Sequence, residues 1–117
     1  MKKMNMNKRV VFYDELDFHE IIMNHKPKED LRNFCNKYMG LLIKHQENDP
    51  SSNLLRTLEA FLDAGCSLVK TSQALYIHRN TLIYRLNKIK EILPYDINDP
   101  EVQFKINFAL RIYKYLY

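Results

Sequence analysis

The stretch that decides the fold is Ser67–Leu93, SLVKTSQALYIHRNTLIYRLNKIKEIL. Ser67 is a capping residue type, and Leu68, Ser72 and Leu75 recur at a spacing that puts them on one face of a short helix, roughly 68–75. Tyr76-Ile77-His78 leaves room only for a tight turn. A longer helix, roughly 79–93, then buries Leu82, Leu86, Ile89 and Leu93, and Pro94 ends it. Two helices joined this way make a helix-turn-helix. Ser72 is small enough for the helices to cross closely, while Leu75, Ile77 and Leu82 clamp the turn.

The second helix has two sides. Opposite its apolar face lie Asn80, Tyr84, Asn87 and Glu91, with Ile83 and Lys88 at the shoulders. An asparagine amide matches the paired donor and acceptor of adenine, and Ile83 is suited to a thymine methyl. The expected base contacts are therefore Asn80, Ile83, Tyr84 and Asn87. Arg79, Arg85 and Lys88 flank that face, and His78 and Thr81 sit where free helix N–H groups attract phosphate. With Lys70, Thr71 and Gln73 from the first helix, these make up the expected phosphate contacts. Each has a plainer reading beside it: His78 as a simple cap, Tyr84 packed on the domain, Arg85 paired with Glu59 or Asp63.

Charge follows the same division. The chain of 117 residues has net charge +4, but residues 1–9 alone carry +4, residues 10–65 carry −4, residues 66–93 carry +4 and the remainder is neutral. Localised positive charge is what phosphate neutralisation needs.

Outward from this segment, helical signals dominate. Leu54, Leu55, Leu58, Phe61 and Leu62 form an amphipathic helix expected over 51–64, started by Asp49-Pro50-Ser51-Ser52 and closed by Gly65 in the left-handed region. Asp99-Pro100-Glu101 starts a last helix, 100–116. Its apolar residues cover an arc of roughly 240°, wider than one core face needs. Either the helix is sandwiched within the domain or it also packs on a second protein surface. Leu31, Phe34, Cys35 and Tyr38 predict a helix over 28–39, separated by Gly40 from Leu41-Leu42-Ile43. Asp14 with Leu16, His19, Ile22 and Met23 predicts another over 15–25, and Val10–Phe12 reads as an orphan strand. With two glycines in the whole chain, an all-β architecture lacks its turn residues. The expected class is all-α: residues 1–12 a basic tail and orphan strand, 13–48 preceding helices, 49–117 the helix-turn-helix domain.

Residues 75–86, LYIHRNTLIYRL, resemble the signature of the C-terminal helix-turn-helix domain of PucR/CdaR-type transcriptional regulators. The likeness extends to Leu54–Leu62, to Asp96–Pro100 with Phe108-Ala109-Leu110, and upstream to Tyr13–Leu16 and Asp30-Leu31. Ser72 stands where the family often has alanine. The segment is also similar to the Fis-like helix-turn-helix. The resemblance implies major-groove binding to double-stranded DNA by a homodimer. Such regulators are usually several times longer, with sensory and central domains ahead of this region, so the chain reads as a C-terminal fragment or a stand-alone domain; the basic start and the orphan strand favour the fragment.

Other chemistry finds little support. No phosphate loop, nucleophile elbow or HExxH occurs, and His19, His25, His45, Cys35 and Cys66 never reach a zinc spacing, so neither catalytic nor metal residues nor a cofactor are expected. Two widely spaced cysteines fit reduced thiols in a cytoplasmic protein, and the apolar stretches are too short for a membrane span. The competing function is a protein-interaction or dimerisation module that uses the last helix.

Overall fold

The computed structural model describes residues 28–116, together with Glu20 and Asn24. The basic tail, the orphan strand and nearly all of the expected 15–25 helix lie outside the described residues. Within them the chain forms five α-helices: α1 (Lys28–Asn48), α2 (Leu54–Asp63), α3 (Leu68–Leu75), α4 (Arg79–Ile92) and α5 (Pro100–Leu116), with a 3-10 turn at Pro50–Ser52. The described residues contain no strand, in agreement with the all-α expectation.

The first difference from the sequence reading is at α1, which runs through Gly40 to Asn48 rather than stopping at 39. A mid-helix glycine costs about 1 kcal/mol against alanine. Burial outweighs it here: Met39 and Leu42, one on each side of Gly40, are both fully buried, and each is worth about 1.5–3 kcal/mol. The second difference is at α2. The Asp49-Pro50-Ser51-Ser52 cluster winds a separate 3-10 turn, and α2 begins only at Leu54, after Asn53 at φ 58°.

One core joins nearly all elements. Tyr38, Met39 and Leu42 of α1, Leu54, Leu58 and Phe61 of α2, Leu82, Leu86 and Ile89 of α4, and Ile106, Ala109 and Leu110 of α5 share it. A smaller cluster, Leu31, Cys35 and Ile112, fastens the start of α1 to the end of α5. Phe34 meets Phe108 edge to face at 5.2 Å, and Tyr38 meets Tyr95 at 5.0 Å, extending that seam. α1 is thus packed into the same hydrophobic interior as the helix-turn-helix.

The wide arc of the last helix now has an explanation. One stripe of α5 buries Ile106, Ala109 and Leu110 in the main core, and the other turns Phe108, Ile112 and Tyr115 into the seam with α1. Phe104, 70% exposed, is the part of the arc left in solvent. The helix is sandwiched between α1 and α2. Asp99 starts it, its Oδ1 accepting from the Glu101 N–H at 3.0 Å.

The end of α2 shows how a short turn aims α3. Gly65 sits at φ 65°; its N–H donates to Leu62 O, and the Cys66 N–H donates to Phe61 O, the paired bonds of a Schellman cap. A methyl at Gly65 would meet nothing within 4 Å, whereas one at Gly40 would make only ordinary contact with Asn36 Cβ at 3.7 Å. The two alanine substitutions should therefore act with opposite signs. Gly65→Ala is expected to cost about 1 kcal/mol from the left-handed backbone alone, and Gly40→Ala to add about 0.5–1 kcal/mol. Denaturant titration of both checks this; equal signs would contradict the backbone argument.

Candidate nucleic-acid interface

α3 is built from local rules. The Ser67 hydroxyl accepts the Lys70 N–H at 3.1 Å, which satisfies one of the free donors of the first turn. At the other end Tyr76 takes φ 56°, its N–H donating to Gln73 O and the Ile77 N–H donating to Ser72 O. This second Schellman cap turns the chain sharply without glycine. For a non-glycine residue the left-handed conformation costs roughly 1–2 kcal/mol.

α4 then starts on a histidine cap: His78 Nδ1 accepts the Asn80 N–H at 3.0 Å. An accepting Nδ1 places the ring proton of a neutral imidazole on Nε2, leaving a donor for an outside acceptor. The helix is anchored by Leu82, Leu86 and Ile89, with Leu93 buried just beyond its end. Asn80, Tyr84 and Asn87, on the side away from that anchor, are exposed, and so are Arg79 and Thr81 in the first turn. Tyr84 is 62% exposed, so the packed alternative for its ring does not hold. Ile83 lies half-buried at the shoulder. The four residues expected to contact bases therefore lie on one side of one helix, three of them exposed.

The expected phosphate contacts divide. Lys70, Gln73, His78, Arg79 and Thr81 are exposed. Thr71 requires a correction. It is fully buried, and its hydroxyl donates to Ser67 O at 2.6 Å, so it offers nothing to a phosphate. The sequence contained the signal: Thr71 stands three residues after Leu68 and four before Leu75, in the middle of the inner face. Arg85 is half-buried and turned inward. Its Nη1 donates to Thr57 Oγ1 at 3.3 Å, while Thr57, itself fully buried, donates to Asn53 O at 2.7 Å. Arg85 thus braces α4 on α2 with one of its five N–H donors. Neither suggested acid takes that role; Glu59 pairs with Lys114 of α5. Lys88 is half-buried, with its ammonium 3.8 Å from Glu91, a separation at which an exposed pair contributes little.

The comparisons with known proteins bear on this same segment. A family described as the PucR C-terminal helix-turn-helix domain matches residues 54–112. The chain belongs to that family. Its relatives include the purine catabolism regulatory protein of Bacillus subtilis, 42% identical over 86 residues, which span 74% of this chain and 16% of the relative. The carbohydrate diacid regulator of Escherichia coli is 39% identical over 67% of this chain and 20% of its own length. The proline-responsive transcriptional activator PutR of Bacillus subtilis is 29% identical over 87% of this chain and 25% of its own length. The chain thus spans a quarter or less of each of these regulators. No solved structure matches it significantly. The matched family segment holds α2 through most of α5 and contains the whole exposed face of α4.

Two further properties frame the site. Among the described residues no helix is long and apolar enough to cross a membrane, and no cluster of three metal-ligating side chains occurs. Both cysteines are free thiols, and burial pushes the Cys35 and Cys66 thiols up from their ordinary range, away from the reactive thiolate.

Proposed function

We propose that this protein is the DNA-binding portion of a transcriptional regulator, acting in the cytoplasm and inserting α4 into the major groove of double-stranded DNA. The observation that carries the proposal is the pairing of a polar, hydrogen-bonding face at the start and middle of α4 with basic residues at its margins. Asn80, Tyr84 and Asn87 stand exposed on one side of a helix whose opposite side is sealed in the core. In this reading Asn80, Ile83, Tyr84 and Asn87 meet base edges, while Lys70, Gln73, His78, Arg79, Thr81 and Lys88 hold phosphates. Arg85 contributes mainly by fixing the helix on α2. The relatives are named for purine catabolism, proline and carbohydrate diacids. A segment shared by regulators of such unlike chemistries fits the part that reads DNA, not the part that senses the metabolite.

A single unit of this size makes too small a footprint for high specificity, so the protein binds as a homodimer on repeated half-sites. Sedimentation with and without the duplex checks the pairing.

Binding to duplex DNA across a salt series tests the reading directly. The logarithm of affinity should fall linearly with that of salt, at about −0.9 per phosphate neutralised. Lys88→Ala should weaken binding to all sequences alike and make the slope shallower by about one. A flat salt dependence for the wild type would overturn the proposal; an unchanged slope in the variant would remove Lys88 from the phosphate set.

A further inference from the structure

Tyr76 is the residue at the turn that the DNA-reading assignment leaves without a role. It occupies the left-handed position of the α3–α4 turn at φ 56°, a conformation glycine adopts freely and tyrosine does not. It is 93% exposed, the most exposed of the large hydrophobic side chains among the described residues. Its backbone closes the Schellman cap through the Gln73 carbonyl, a task that needs no side chain. Fold economy therefore favours glycine here, and an exposed ring gains nothing from the core. Its immediate neighbours Leu75 and Ile77 are half-buried, and the exposed residues near it in the chain, Ala74 apart, are polar or basic: Lys70 and Gln73 before it, His78, Arg79 and Asn80 after it.

We infer that Tyr76 binds the sugar–phosphate backbone at the edge of the groove entered by α4, its phenolic hydroxyl donating to a phosphate oxygen. The inference rests on the DNA-reading proposal above. A tyrosine hydroxyl is an ordinary donor to phosphate, and a residue in the turn stands outside the helix face that meets the bases. Being neutral, the contact adds affinity without neutralising charge. It positions the unit along the duplex and carries no sequence information. The strained backbone is retained because the side chain at that point is used.

The test uses the full chain and two duplexes: one enriched by selection from a randomised pool, and a random duplex of equal length. Tyr76→Gly removes the side chain and relaxes the backbone, so its melting temperature should be no lower than that of the wild type. Its affinity should fall about tenfold on both duplexes, the scale of one hydrogen bond to a charged acceptor, with the salt slope unchanged. Tyr76→Phe, which keeps the ring, should lose a similar factor, and Tyr76→Asn, which tolerates the left-handed region, provides a second folded variant without the ring. Wild-type affinity in Tyr76→Gly or Tyr76→Phe overturns the inference, and so does a loss confined to the enriched duplex, which marks a base contact. If the wild type binds neither duplex, the underlying DNA-reading proposal fails with it. If the wild type binds with the expected salt slope while the Tyr76 variants match it, only this inference fails.

Discussion

Leu82→Ala should destabilise the protein by about 2–5 kcal/mol, the range for truncating a fully buried leucine. Leu82 has no exposed surface and lies in the core shared by α1, α2, α4 and α5. It is also the residue that seats the start of α4 just after the turn. The loss has two parts, the transfer free energy of the deleted carbons and the cavity they leave in that core. A close-packed interior has little freedom to close such a gap. Since a domain of this size has only about 5–15 kcal/mol in total, the substitution removes a large fraction. Thermal unfolding should shift down by about 10 °C or more. DNA binding should fall only in step with the unfolded fraction and return on cooling. A shift of a degree or two would mean that Leu82 is not the anchor its burial indicates.

Asn80→Ala should do the reverse, leaving stability nearly intact while removing discrimination. Asn80 is exposed, and its backbone N–H, not its side chain, is what the His78 cap uses. The helix start therefore survives the substitution. On the enriched duplex the variant should lose about 1–3 kcal/mol of preference at a single base pair, the value of one bidentate contact. On random duplex its affinity should stay close to that of the wild type, because phosphate contacts supply that binding. Measuring both proteins against single-base variants of the enriched duplex locates the pair concerned. Equal discrimination by wild type and variant would remove Asn80 from the base-reading set.

Much of this arrangement is local and was therefore legible in the residues. Ser67 caps α3, Gly65 takes the left-handed position and Asp99-Pro100 opens α5, because each depends on a few neighbouring backbone groups. The two faces of α4 follow from helical periodicity alone, and Leu82, Leu86, Ile89 and Leu93 are buried as their spacing predicts. Family membership was legible for the same reason, since its motif lies in one continuous run. Other features depend on distant parts of the chain. α1 continues through Gly40 because α5 and α2 cover Met39 and Leu42. No local propensity contains that burial energy. The arc of α5 could be divided between a core and a seam only once α1 was in place beside it. Arg85 turned inward because Thr57, far away in sequence, presents a buried hydroxyl to it. Thr71 was misread for a smaller and local reason: threonine is polar by type, but its place between Leu68 and Leu75 already puts it on the inner face, where the Ser67 carbonyl takes its proton. Interactions within a turn or two are written in the order of residues, whereas the direction of a long side chain and the persistence of a helix across glycine belong to whatever packs against them.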